Sequence, residues 1–170
     1  MGTSGTNGRL WGARARDWAE VQEGQCAAAF QAVLDHAGAG PGTRHLDVGC
    51  GAGMAAALSA GRGAAVSGLD AAEALLEIAR ERTPGGDFRL GDVEALPFED
   101  DAFDVDTHWS YPDEATALRG LGSAGVAVRA IEHAGAEAFV AAHRAALAPF
   151  RQPDGGFRIG ARFRCLVAAP

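Results

Sequence analysis

Three glycines at alternate positions constrain this chain more than any other feature. Gly49, Gly51 and Gly53 follow a predicted buried strand, His45-Leu46-Asp47-Val48, and precede a helical pattern that starts near Met54. Because glycine has no Cβ, the backbone can turn sharply there and leave bare N–H groups at the start of the helix. The sequence therefore predicts a strand, a tight turn and a helix, with a ligand lying against the turn.

Acidic residues at the ends of the predicted strands indicate the class of ligand. Asp47 falls near the end of the first strand, and Asp92 follows the third. Asp70 ends the second strand, about 20 residues after Gly51, where nucleoside-binding folds place a carboxylate on ribose hydroxyls. A unit charge at ~4 Å contributes roughly 4 kcal/mol at a protein-like dielectric, so these acids repel a pyrophosphate and attract a sulfonium or ammonium. The pattern favours S-adenosylmethionine over a dinucleotide.

Hydrophobic periodicity predicts an α/β fold in a single domain that spans residues 1–170. Strands alternating with helices indicate a Rossmann-like, doubly wound and mostly parallel sheet. The predicted strands are 44–48, 64–69, 88–90, one opening at 102 and a terminal strand at 157–168. The predicted helices are 17–36, 54–60, 72–82, 113–121, 124–133 and 136–148. Within the domain we expect a disordered tail (1–8), a cofactor-binding half (9–105) and a helical region with the terminal strand (106–170).

Composition excludes several functions. The net charge is −7 and all 15 basic residues are arginine without any basic run, so nucleic acid is not an expected partner. The sequence has no apolar span long enough for a membrane and no signal peptide, so we expect a cytoplasmic protein without a membrane partner. Cys26, Cys50 and Cys165 lie far apart, which indicates neither a disulfide framework nor a metal site.

Three motifs occur in order: LDVGCGAG, then GLD before the helical AAEALLEIARER, then GDVEALPFEDDAFDV. Over residues 8–105 the chain resembles the class I S-adenosylmethionine-dependent methyltransferases, in the small-molecule branch with the ubiquinone and menaquinone biosynthesis enzymes. The resemblance implies that S-adenosylmethionine is the cofactor and S-adenosylhomocysteine the product. The residues it implies for cofactor binding are Asp47, Gly49, Cys50, Gly51, Gly53, Asp70, Ala71, Asp92, Val93 and Trp18.

Their expected roles differ. The glycine turn, with Cys50 as a small residue that fits inside it, approaches the methionine part, and Asp47 helps to hold its amino end. Asp70 binds the ribose hydroxyls. Asp92 and the backbone of Val93 read the adenine, and Ala71 forms part of its wall. Trp18, in the segment that opens with Trp11, folds over the cofactor.

The second half departs from the family pattern. A full domain of this type has two further strand–helix units after strand four, and the sequence around 105–107 looks like the seam of an internal deletion. We therefore expect a sheet that is shortened from seven strands to about five, with an antiparallel C-terminal strand. The apolar surface left by the missing part is expected to be covered by a second copy of the chain, in a homodimer formed by exchange of elements.

The candidate for catalysis is His108, because the ordinary pKa of histidine lies near neutral pH and suits a general base. A structural role for this residue is the alternative. The sequence predicts methyl transfer to an unidentified small-molecule acceptor. Two other functions stay open: a shortened, non-catalytic domain that binds S-adenosylmethionine or S-adenosylhomocysteine or serves as an interaction module, and an NAD-dependent oxidoreductase, which the GxGxG spacing disfavours.

Overall fold

A three-stranded parallel sheet organises the first half of the protein. The computed structural model describes residues 4–92 and 101–167. The strands β1 (Arg44–Val48), β2 (Ala65–Asp70) and β3 (Asp87–Leu90) lie in the order β1-β2-β3. In their register Asp47 lies opposite Gly68, and Gly68 lies opposite Phe88. Their carboxyl ends therefore meet at one edge of the sheet, as the acidic pattern predicted.

The helices follow the predicted segments closely, because their apolar spacing and glycine breakers are local signals. Their bounds are α1 (Ser4–Gly12), α2 (Ala15–Asp17), α3 (Ala27–His36), α4 (Met54–Gly61), α5 (Glu73–Arg82), α6 (Glu114–Leu121), α7 (Gly125–Ala134) and α8 (Ala136–Leu147). A short 3₁₀ turn, Ala148–Phe150, follows α8.

Helices α4 and α5 cover one face of the parallel sheet. Val66 and Phe88 point to this face and are buried with Ala56, Leu76 and Ala79 in one cluster. A Cβ at position 68 would lie 2.5 Å from the Phe88 ring, so the glycine there is required for the ring to pack across β2. Burial of these apolar side chains joins the sheet to the two helices that follow its strands.

The prediction of an α/β fold with a terminal antiparallel strand is confirmed. The described strands form two sheets, however, where the sequence predicted one. β4 (Asp101–Tyr111) pairs with β5 (Phe157–Val167) instead of joining β1. The antiparallel register runs from Asp101↔Val167 to Tyr111↔Phe157. Tyr111 and Phe157 are buried with residues of α6 and α8, so this ladder has a core of its own.

The N-terminal region is more ordered and less regular than the sequence predicts. The prediction of a disordered tail is wrong for residues 4–8, because α1 begins at Ser4. The single helix predicted over 17–36 is divided into α2, a π-helical segment (Trp18–Gln22), a 3₁₀ segment (Glu23–Cys26) and α3. Gly8 permits this order, because a Cβ there would lie 2.0 Å from the carbonyl oxygen of Ala71.

Asp17 joins the two halves of the chain. Its carboxylate accepts hydrogen bonds from Arg14 and from Arg119 of α6. Burial opposes ionisation of Asp17, but the two guanidinium groups prevail and lower its pKa.

Across residues 4–92 and 101–167, no helix has both the length and the apolar character needed to cross a membrane.

Candidate active site

The glycine turn between β1 and α4 is held to the end of β2. The N–H groups of Gly49 and Cys50 both donate to the carbonyl oxygen of Leu69, at 2.7 and 3.1 Å. Gly51 and Gly53 have φ angles of 54° and 79°, in the left-handed region that other residues rarely adopt. The chain can take this path next to β2 because the turn carries no side chains at these positions.

Asp70 connects the turn to the start of α5. Its Oδ2 accepts a hydrogen bond from the N–H of Gly51 at 2.9 Å, and its Oδ1 accepts one from the N–H of Ala72 at 2.8 Å. Each carboxylate oxygen can accept a second hydrogen bond. The side chain is therefore fixed in place and still has capacity for the hydroxyl groups of a ligand.

A cavity of about 450 Å³ lies at the carboxyl ends of the parallel strands. Six residues of the predicted cofactor set line it: Trp18, Gly49, Gly51, Asp70, Ala71 and Asp92. Asn7 and Trp11 of α1, Leu69 of β2 and Leu75 of α5 complete much of the wall. The first helix, the glycine turn and the strand ends thus enclose one space.

The cavity has an acidic environment. Asp70 and Asp92 line it, and none of the described residues lining it is an arginine. Burial raises the pKa of the Cys50 thiol to about 12, and the charges of Asp47, Asp70 and Glu23 contribute to the rise. The turn therefore lies in a negative potential that suits a cationic ligand and opposes a pyrophosphate. The raised pKa also keeps Cys50 a neutral thiol instead of a reactive thiolate.

Four predicted residues lie outside the cavity lining. Strand alternation turns Asp47 toward α4, Cys50 packs in the core against β2, and Gly53 forms the N-cap of α4. His108 is exposed on β4 and its Nδ1 lies 3.3 Å from Arg158. The structure does not bring His108 to the cavity, so it offers no support for a catalytic role. Val93 lies outside the described residues.

Sequence reasoning missed a buried pair behind the turn. Glu23 is 3% exposed, its Oε1 accepts from the N–H of Met54 at 3.3 Å, and its Oε2 forms an ion pair with Arg82. Arg82 also donates to the carbonyl oxygens of Ala52 at 2.9 Å and Ala19 at 3.0 Å. Each residue has the sequence context of an exposed charge on a helix. No local pattern predicts contact between two positions so far apart in the chain.

The residues present fit S-adenosylmethionine on two observations of this structure. The backbone at Gly49 is open, since a Cβ there would meet nothing within 4 Å. Asp47 Oδ2 is buried behind the turn, outside the cavity lining and with no hydrogen-bond partner among the described residues, so its charge adds to the negative potential that a ligand ammonium would meet. Together they match a cationic amino acid group next to a ribose.

Comparison with known proteins agrees with this chemistry. Residues 46–110 match the family model described as a methyltransferase domain. The chain is 43% identical over 75 residues to a demethylmenaquinone methyltransferase of Renibacterium salmoninarum, covering 44% of this chain and 32% of that protein. It is 41% identical over 86 residues to a malonyl-[acyl-carrier protein] O-methyltransferase of Erwinia pyrifoliae, covering 51% of this chain and 31% of the relative.

Among solved structures, a TehB-like SAM-dependent methyltransferase from Corynebacterium glutamicum shares 29% identity, with a TM-score of 0.39 over 47% of this chain and 46% of that one. The matched segment spans about a third of the length of the two curated relatives. The three motifs, the glycine turn and the acidic cavity all lie in or beside that segment. The segment 46–110 is therefore similar to a methyltransferase domain, and the relatives that match it are named as methyltransferases.

Proposed function

We propose that this protein binds S-adenosylmethionine in the cavity at the strand ends and transfers its methyl group to a small-molecule acceptor. One observation carries the proposal: open glycine backbone and the Asp70 carboxylate face the same cavity, which has no arginine among its described lining residues. S-adenosylmethionine supplies an electron-poor methyl group on a sulfonium. The chain's own task is to align it and to exclude water.

The proposed roles follow from position. Gly49 and Gly51 leave room for the methionine part, and Asp70 accepts from the ribose hydroxyls. Ala71 and Asp92, beyond the strand ends, would contact the adenine. Trp18 covers the cavity together with Trp11, whose ring meets it edge to face with centroids 4.9 Å apart. This indole pair is the part of the chain suited to keep water from the sulfonium.

Two further expectations stay with the proposal. We expect a homodimer, because Leu46 on the uncovered face of the parallel sheet is 64% exposed. The cytoplasmic location is a prediction from the sequence alone. The methyl acceptor is a small molecule in this proposal.

A second candidate function is a binding domain without turnover. The pairing of the strands favours it. Because β4 pairs with β5, β1 has only β2 as a partner among the described strands. A methyltransferase needs a wall for its acceptor as well as a cofactor cavity. The two candidates agree on cofactor binding and differ only in the acceptor step.

Calorimetric titration with S-adenosylhomocysteine tests the proposal. The unaltered protein should bind it, and Asp70→Ala should weaken binding by about tenfold or more, because charge-assisted hydrogen bonds contribute about 1.5–3 kcal/mol. Asp87→Ala is the matched control, because this exposed carboxylate lies at the amino end of β3, whereas the cavity lies at the carboxyl ends of the strands. Asp70→Asn keeps one acceptor oxygen and should bind with intermediate affinity.

Binding of a nicotinamide dinucleotide in place of S-adenosylhomocysteine would overturn the proposal in favour of the oxidoreductase. Turnover then separates the two remaining functions. Production of S-adenosylhomocysteine from S-adenosylmethionine in the presence of neutral aromatic acceptors supports the enzyme. Binding without turnover across such a set supports the module.

A further inference from the structure

A second cavity, of about 500 Å³, adjoins the cofactor cavity. Trp11 and Trp18 line both cavities, so the two spaces meet at this indole pair. The other walls come mainly from α7 and α8, with Trp109 of β4. A molecule held here would reach the same indole pair as the proposed cofactor.

The lining of this cavity is apolar and aromatic. Its larger side chains are Trp11, Trp18, Trp109, Leu121 and Phe139. Among the described residues that line it, none is an aspartate, glutamate, lysine or arginine. A charged ligand would lose its hydration there without gaining an ionic partner, whereas apolar surface gains about 25 cal/mol per Å² buried. The cavity therefore suits a neutral molecule with a flat ring that can pack against the indoles.

Two hydrogen-bond donors belong to the wall. The indole Nε1 of Trp109 is buried without a hydrogen-bond partner among the described residues, although buried N–H groups nearly always have one. Gln22 also lines the cavity, and its Oε1 is already occupied by the hydroxyl of Tyr111 at 2.8 Å. What the amide has left to offer is its NH₂ group. Both groups can donate a hydrogen bond to an acceptor oxygen on the ligand, such as a carbonyl oxygen.

His143 supplies the complementary acceptor. Its Nδ1 lies 2.9 Å from the carbonyl oxygen of Phe139, and its ring stacks on Phe139 with centroids 3.8 Å apart. Because a carbonyl can only accept, Nδ1 must carry the hydrogen, and Nε2 of the neutral ring is an acceptor. His143 lines the cavity, so this nitrogen suits a ligand hydroxyl.

We propose that this second cavity is the methyl-acceptor site, and that it takes a neutral, ring-containing, mainly apolar molecule with a hydroxyl and a carbonyl oxygen. The hydroxyl donates to Nε2 of His143, and the carbonyl accepts from Trp109 Nε1 or the Gln22 amide. The assignment as an acceptor site rests on the proposed function. Phe139 and His143 of α8 both belong to the wall of this cavity.

The probe for this proposal is 7-hydroxycoumarin, used at a pH where its hydroxyl stays protonated. It should bind the unaltered protein in a calorimetric titration, and Ala130→Phe should weaken binding by about tenfold or more because the added ring fills space in the cavity. Ala141→Phe is the matched control: it adds the same ring at an exposed position of α8 outside the lining. Its affinity for the probe should stay within about twofold of the unaltered protein.

Trp109→Phe tests the donor itself. It keeps an aromatic ring and removes the unpartnered N–H, so probe affinity should fall about 2–10-fold. A purely structural role for the indole predicts unchanged affinity for the probe. That result would remove Trp109 from the proposed site.

S-adenosylhomocysteine is titrated into the same samples, so that two kinds of failure can be told apart. If it binds while 7-hydroxycoumarin does not bind at up to about 1 mM, or binds Ala130→Phe equally well, the acceptor site is wrong and the cofactor site stands. Tighter binding of the anionic coumarin-3-carboxylate would overturn the neutral class of ligand. If S-adenosylhomocysteine itself fails to bind, the proposed function and the acceptor assignment both fall.

Discussion

Asp47 lies buried beside the glycine turn at a cost to folding. Burial raises its pKa, and the nearby His45 and the backbone of Ala56 oppose this only in part. Oδ2 has no hydrogen-bond partner among the described residues. A carboxylate kept in such a position fits a group held for a ligand better than one held for stability.

Replacing Asp47 with asparagine should therefore stabilise the protein near neutral pH. A gain of about 1 kcal/mol would raise the thermal midpoint by about 2–4 °C. Because the folded pKa is raised, the ionised form lowers stability only above the ordinary carboxyl range, so the gain should disappear as the pH falls toward about 4. Thermal unfolding over a pH series measures it, with Asp87→Asn as the exposed control. A lower midpoint for Asp47→Asn at neutral pH would contradict this account.

At the scale of elements, the pair Glu23–Arg82 joins three segments around the site. Arg82 of α5 reaches the 3₁₀ segment through Glu23, the π-helical segment through Ala19 and the glycine turn through Ala52. Burial raises the pKa of Glu23, and the guanidinium limits the rise. The contact holds the N-terminal helical region, which supplies Trp18, against the turn.

Removal of Arg82 should be costly, because it leaves a buried carboxylate without its partner. Arg82→Met is expected to lower the free energy of unfolding by about 3 kcal/mol. The loss should be smaller at acidic than at alkaline pH, since protonation of Glu23 relieves it, and Glu23→Gln in the same chain should restore part of it. Urea unfolding at two pH values measures both effects.

The control is Arg16→Met, which breaks an exposed pair with Glu81 of α5 and should cost less than about 1 kcal/mol. Equal losses for Arg16→Met and Arg82→Met would mean that the buried pair adds nothing beyond a surface contact. A loss for Arg82→Met that does not depend on pH would remove Glu23 from the explanation.

At the scale of the whole molecule, the parallel sheet is covered unevenly. Helices α4 and α5 pack on the face that carries Val66 and Phe88, while Leu46 on the other face is exposed. Among the described strands β1 pairs with β2 alone, because β4 pairs with β5. An exposed apolar face next to an unpaired strand edge favours association with another chain.

We therefore expect a dimer whose interface includes this face. Sedimentation equilibrium at micromolar concentration should give twice the monomer mass, and Leu46→Glu should convert the protein to a monomer, because the dimer interface would bury an unpaired charge. Phe150→Glu, at an exposed apolar residue after α8, should leave the dimer intact. A monomer mass for the unaltered protein would exclude this association.

The local elements could be predicted from the sequence because their causes are local. β1 occupies 44–48 as predicted, since alternation and the flanking glycines define it within a few residues. The motif spacing predicted that Asp70 binds ribose hydroxyls, and the structure adds its bond to the N–H of Gly51, which the spacing did not predict. The roles of these residues toward a cofactor stay predictions until the titration is made.

The sequence by itself determined the strand–turn–helix unit, the order of the acids and the resemblance to a methyltransferase domain, because each depends on residues close in the chain or on one repeated spacing. Only the tertiary structure decided that β4 pairs with β5, that Glu23 meets Arg82, and that three tryptophans line a second cavity. These contacts join residues distant in the chain. Their partners are selected by competition for buried surface across the whole fold, which no local pattern records.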